Sequence, residues 1–164
     1  MADIHDSEHE PAPAPVLVLG VGNILLSDEG VGIRVVEEIM KYHLPECVEV
    51  LDGGTSQLVI VDLIRGRKKV IVVDAIRSDG PPGTLYKFGV EDLQAVAGQL
   101  GSAHDLGVVE AIFFLGLTGE IPDDITFFGV EPASFEPSLD LTPAVAAALP
   151  RLTQLVMEAA GIEQ

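Results

Sequence analysis

Glu29, Asp52, Asp74 and His104 are the residues of this chain whose types and positions could do chemistry, an acid after each of three expected strands and a histidine at an expected helix start. Two carboxylates and one imidazole can hold a divalent transition metal, and three ligands leave coordination positions open. Imidazole favours nickel, zinc, copper or iron over magnesium. The same carboxylates could instead act as acid and base on a water, and residue types leave the two chemistries open. Asp28, beside Glu29, is an acid in a comparable setting. Each of these residues also has a plain structural explanation. Asp28 and Glu29 can complement a helix dipole, Asp52 and Asp74 can cap turns, and His104 can be an exposed loop residue. What lowers the weight of those explanations is a shared position in the expected fold.

That fold follows from the apolar pattern. Val16 to Val21 is an all-apolar run, as a central parallel strand should be. It feeds the glycine turn Gly20-Val21-Gly22. From Glu29 to His43 a helix is expected, with Val35, Val36, Ile39 and Met40 as its apolar stripe and His43 at its end. Val48 to Leu51 reads as a second strand, closed by Asp52-Gly53-Gly54-Thr55. A helix from about Ser56 to Ile64 carries Leu58, Val61 and Ile64. Lys69 to Val73 is the third strand, with Asp74 at its carboxyl end. After the turn Ser78-Asp79-Gly80-Pro81-Pro82-Gly83, the mixed polarity of Thr84 to Phe88 suits an edge strand. Val90 to Leu100 is weakly helical. Ser102-Ala103-His104-Asp105 opens a long apolar helix to about Leu117, and Ile125 to Val130 is the fifth strand. Thr142 caps a last helix with Pro143 at its first position, and Pro150 should kink it. Strands alternating with helices predict an α/β sandwich with a mostly parallel sheet. In such a sheet Glu29, Asp52, Asp74 and His104 all fall at one edge, where open α/β folds bind ligands.

Composition narrows the function. The chain has 164 residues and a formal charge of -17, which repels nucleic acid and anionic membranes because phosphate binding rests on Lys and Arg. A metal ion or a basic peptide segment suits that field better. Cys47 is the only cysteine, so an internal disulfide framework and a cysteine-based zinc site are excluded. No apolar run approaches the roughly 20 residues of a membrane span, no signal peptide is evident, and the cytoplasm is the expected compartment. Residues 1–15 are rich in Asp, Glu, Pro and Ala and are expected to be a disordered tail; its His5, Glu8 and His9 offer at most a weak metal site. Residues 16–164 form a single domain.

A nucleotide cofactor is not expected. Gly20-Val21-Gly22 starts like a dinucleotide fingerprint, but Leu25 stands where the third glycine belongs. Asp28 and Glu29 at the helix start would repel a pyrophosphate. Asp52 lies 30 residues past Gly22, where a ribose-binding acid stands about 20 on. No Gly-Lys-Ser/Thr occurs, which removes a P-loop. No serine or cysteine has the setting of a nucleophile.

The ordered motifs resemble a known family. Gly20-Val21-Gly22-Asn23-Ile24-Leu25 followed by Ser27-Asp28-Glu29-Gly30-Val31-Gly32 is similar to the signature of the endopeptidases that mature nickel-iron hydrogenases. Asp52-Gly53-Gly54-Thr55, Val73-Asp74-Ala75, Pro82-Gly83-Thr84, Ser102-Ala103-His104-Asp105-Leu106-Gly107 and Gly129-Val130-Glu131-Pro132 resemble its later motifs in order, so the resemblance covers about Val16 to Ala160. It implies a three-layer αβα sandwich around a five-stranded twisted sheet. It implies that Glu29, Asp74 and His104 are metal-binding positions. It also implies the partner and substrate: a hydrogenase large-subunit precursor, already loaded with nickel, that loses a C-terminal extension. Nickel would then be a recognition element supplied by the substrate. The bond would be broken by a metal-polarised water or, as in an aspartic-type endopeptidase, with Asp74 or Glu29 as general base. Two other classes stay open: a non-catalytic, metal-dependent checkpoint chaperone for nickel insertion, and a small-molecule hydrolase on a similar sandwich. Asp28 is expected to cap the helix while its neighbour Glu29 faces the crevice.

Overall fold

A computed structural model describes residues 12–54, 57–93 and 103–163, without the side chains of 57, 58 and 103–106. Most of the expected tail lies outside these residues, including His5, Glu8 and His9. Its last residues are fastened to the domain: Pro15 O accepts from Lys68 N at 2.9 Å and Lys69 N at 3.0 Å, and Ala14 O accepts from Arg67 Nη1 at 2.8 Å.

Five strands form one sheet: β1 (Val16–Gly20), β2 (Val48–Asp52), β3 (Lys69–Ala75), β4 (Leu85–Gly89) and β5 (Asp124–Val130), in the order β2-β1-β3-β5-β4. All pairs are parallel except β4 with β5. The expected edge position of the mixed-polarity fourth strand is what is observed, and its polarity matches a strand with one open side.

Residue alternation builds the layers. Val18, Ile71, Val73, Phe128 and Val130 face one side. There they bury the apolar stripes of α1 (Val31–Ile39) and of α4 (Pro143–Ala160), which contributes Val145, Leu152, Val156 and Met157. Leu17, Leu19, Val70, Val72, Ile125 and Phe127 face the other side. They pack with Ile60 and Ile64 of α2 (Gln57–Ile64) and with Val108, Ile112 and Leu115 of α3 (Ala103–Thr118). The protein is therefore the three-layer αβα sandwich that the sequence predicts. No helix of the described residues is long and apolar enough to cross a membrane.

Several boundaries differ from the expectation. The helix expected from Glu29 starts as a 3-10 turn over Ser27–Gly30 and becomes α1 only at Val31. It ends at Ile39, so Met40 is its cap and is exposed rather than part of the stripe. Strand β3 runs two residues further than expected, which puts Asp74 inside it. The helix α4 is continuous through Pro150. The expected helix over Val90 to Leu100 begins as a 3-10 turn, Val90–Asp92, and residues 94–100 lie outside those described.

Candidate active site

The loop after β1 carries the first acid. Gly22 turns the chain at φ 134°, and a side chain there would collide with the carbonyl of Glu29. The loop is thus folded back on itself, with the 3-10 turn lying over its own entry. At Gly32 a Cβ would collide with the carbonyls of Val73 and Val21. The start of α1 therefore rests directly on the end of β3, as close as two backbones come. Glu29 is held between these contacts and is only 5% exposed.

Asp28 is also buried, at 0% exposed, but its carboxylate points elsewhere. Oδ2 accepts from Ala133 N at 2.8 Å, Ser134 N at 3.1 Å and Thr142 Oγ1 at 2.8 Å. Oδ1 accepts from Thr142 N at 2.8 Å. Asp28 is therefore not the cap of its own helix, contrary to the expectation from sequence. It ties the loop after β1 to the loop after β5 and to Thr142, the residue that caps α4. A charged acceptor with four donors is a strong fixed link.

Asp74 is the sixth residue of β3, 6% exposed, with Oδ1 accepting from Ala75 N at 2.7 Å. In register it follows the pair Gly20–Val73 by one residue. Its side chain shares a face with Val70 and Val72, the face covered by α2 and α3. Strand β1 connects outward to β2 on one side, and β3 has β5 and β4 on the other. The carboxyl ends of β1 and β3 thus form the switch point of the sheet, where α/β folds open a crevice. Glu29 lies on the loop that follows β1 and Asp74 near the end of β3, the two strands that meet at this point, and both are shielded from water. A shielded carboxylate is costly in charged form unless hydrogen bonds or a cation compensate.

His104 is the second residue of α3. This helix leads through residues 119–123 into the start of β5, so it runs from the carboxyl edge of the sheet to the amino edge. Topology therefore puts its first turn at the edge where Glu29 and Asp74 stand. The His104 side chain lies outside those described. Among the described residues no three His, Cys, Asp or Glu side chains are grouped to hold a metal. Asp52 is not drawn into the crevice: it is exposed, and Oδ1 accepts from Gly54 N at 2.7 Å, a local turn.

One buried acid was not singled out by residue-level reasoning. Glu131 follows β5 and is 6% exposed. Its Oε2 accepts from Tyr86 Oη and from Ser78 N, each at 2.8 Å. It therefore ties the loop after β3 to the edge strand. Burial and then the Glu131 carboxylate raise the pKa of the Tyr86 hydroxyl. The signal was available: an acid directly past a parallel strand, the same setting that marked Asp74.

The edge as a whole is acidic. Residues 22–30, 52–54, 74–84 and 131–142 contain Asp28, Glu29, Asp52, Asp74, Asp79, Glu131, Glu136 and Asp140, and one base, Arg77. Arg77 lies over the Phe135 ring at 4.2 Å.

An αβα sandwich with shielded acids at its switch point defines a class, the α/β enzymes that work at the carboxyl edge of a parallel sheet. Comparison with known proteins narrows this. Residues 33–159 match the family model described as hydrogenase maturation protease. The hydrogenase 2 maturation protease of Escherichia coli is 41% identical over 153 residues, covering 90% of this chain and 93% of that protein. Among solved structures, the hydrogenase maturating endopeptidase HybD from E. coli superposes with a TM-score of 0.83 at 41% identity, covering 88% of this chain and 90% of that one. The hydrogenase 2 maturation peptidase from Thaumarchaeota archaeon SCGC_AB-539-E09 gives 0.70 at 36% identity, covering 90% and 99%. The chain belongs to the hydrogenase maturation protease family and is, by class, a peptidase.

Proposed function

We propose that this peptidase removes the C-terminal extension of a nickel-iron hydrogenase large-subunit precursor, and that nickel carried by the precursor is the feature it recognises. The observation that supports this reading is the shielding of Glu29 and Asp74 at the switch point of the sheet. Oxygen donors on the two flanks of one crevice suit a divalent ion presented by a partner. His104, on the helix that starts at this edge, would complete an O,O,N set and leave positions for ligands from the substrate. The metal belongs to the substrate in this reading, and no nucleotide cofactor is involved. We assign the reaction to the cytoplasm, in keeping with a chain whose one cysteine, Cys47, is free.

The hydrolytic step uses a carboxylate as base. Asp74 or Glu29 takes a proton from water, the water oxygen adds to the peptide carbonyl, and the proton passes to the leaving amine as the C–N bond breaks. Polarisation of the same water by the substrate's nickel is the competing route.

Nickel-loaded and nickel-free precursors, incubated with the protein and followed by the gel shift of the shortened subunit, test the proposal. Cleavage of the nickel-loaded form alone is expected. Equal cleavage of both removes nickel as the recognition element, and cleavage of neither removes the function. Asp74→Asn separates docking from chemistry. A variant that binds nickel-loaded precursor without cutting it assigns Asp74 a catalytic role, whereas normal cutting excludes one.

A further inference from the structure

The turn from Asn23 to Ser27 stands beside Glu29 and combines a fastened backbone with bare apolar side chains. Leu25 is 59% exposed, Ile24 37%, and Leu139 in the adjoining loop 62%. Their backbone is nonetheless tied at several points. Leu25 N donates to Asn23 Oδ1 at 3.0 Å. Leu25 O accepts from Ser138 N at 3.0 Å, and Ser27 N donates to Ser138 O at 2.9 Å. Arg34 Nη2 donates to the Leu139 carbonyl at 2.9 Å. The two loops are thus held side by side, with Asp28 fixing them from beneath. Exposed leucines on a fastened turn contribute nothing to this protein's own core. Such a surface suits a partner, because little of it remains to be ordered on binding.

We propose that Ile24, Leu25 and Leu139 form a docking lip for the peptide segment that enters the crevice. The inference rests on the protease reading above and deepens it by naming what the enzyme grips besides the metal. The occupant is an extended segment of the precursor's C-terminal region, with an apolar side chain for the lip and basic side chains for the rim. Two observations select it. Ile24 and Leu25 belong to the same loop as Glu29, and Leu139 to the loop fastened beside it, so a chain lying on the lip passes next to Glu29. The loops at this edge carry eight carboxylates against Arg77, with Arg34 of α1 beside Leu139 as the second base, and the excess of acids favours a cationic peptide.

The test uses Leu25→Ser and Leu139→Ser, singly and together, against Met40→Ser. Met40 is comparably exposed, at 51%, but caps the far end of α1. Steady-state cleavage of nickel-loaded large-subunit precursor, Tm and sedimentation are measured for each. The double variant should raise KM about tenfold with kcat within about twofold, the pattern of lost apolar binding that does not enter the chemical step. Its Tm should match wild type, Leu25→Met should restore KM, and Met40→Ser should change nothing. An unchanged KM in the double variant overturns the lip and leaves the protease reading intact. A wild type that cleaves no precursor removes that reading and the lip with it. A concentration-dependent dimer that Leu25→Ser abolishes makes the lip a self-interface and overturns the proposal as well.

Discussion

Asp28 and Glu29 are neighbours in the chain and almost equally shielded from water, yet they are held by different means. Asp28 accepts four hydrogen bonds from residues 105 to 114 positions further along. Removing it strands buried donors in two loops. Asp28→Ala should therefore lose about 3 kcal/mol of stability, read as a lower urea midpoint at unchanged slope. Glu29→Gln keeps the size and shape of the side chain and removes its capacity to act as a base, so its stability should stay within about 1 kcal/mol of wild type. Its cleavage of precursor should fall at least about a hundredfold, read in a gel-shift time course. The opposite pattern, a stable Asp28 variant and an unfolded Glu29 variant, would exchange the two roles. Sequence reasoning expected Asp28 to cap the adjacent helix, because a local spacing shows only local partners. Its real partners are brought in by the fold, and nothing near position 28 announces them. Glu131 has a local signal, an acid directly past a parallel strand, but Tyr86 and Ser78, which give it a role, stand on other elements.

At the scale of elements, the site depends on how closely α1 can lie on β3. The fit leaves no room for a Cβ at Gly32. Gly32→Ala should push the helix start off the strand, cost about 2 kcal/mol, and separate Glu29 from Asp74. Cleavage should fall further than the loss of folded protein explains, which activity per folded molecule measures directly. On the other side of Asp74, the loop to the edge strand is tied by Glu131 and Tyr86. Burial and the neighbouring carboxylate raise the Tyr86 pKa above its usual 10.0. The folded state therefore holds this proton more tightly than the unfolded chain. The stability it provides is full below about pH 10 and is lost as pH rises through the raised value. Tyr86→Phe should lack that loss, so the stability gap between wild type and variant should shrink in unfolding curves above pH 10. The strands were legible to within two residues, because their apolar runs are bounded by turns. The helix start was misplaced, because a 3-10 turn of Ser, Asp, Glu and Gly carries no apolar stripe to mark it.

The whole molecule adds a field that no single residue has. The net charge is -17, and the working edge is acidic too, with eight carboxylates in its loops against Arg77 and, beside Leu139, Arg34 of α1. The sandwich and the common edge of Glu29 and Asp74 were readable from alternation and strand order, since parallel strands put all their carboxyl ends on one side. For His104 the structure adds only the position of its helix, whose first turn topology puts at the same edge. What the field does can be measured without that detail. A substrate segment with basic side chains is drawn toward this edge before contact, and salt weakens the attraction without altering the crevice. Raising salt from about 0.05 M to about 0.5 M shortens the screening distance roughly threefold. Over that range kcat/KM for the nickel-loaded precursor should fall about tenfold or more, carried by KM, while kcat holds steady. Removing the rim charges in pairs, as in Asp79→Asn with Glu136→Gln, should flatten that dependence. Both residues are exposed in loops at this edge, so the pair should leave Tm unchanged. A salt-independent kcat/KM in the wild type would mean that the acidic edge does not guide the substrate and that recognition rests on the metal and the apolar lip.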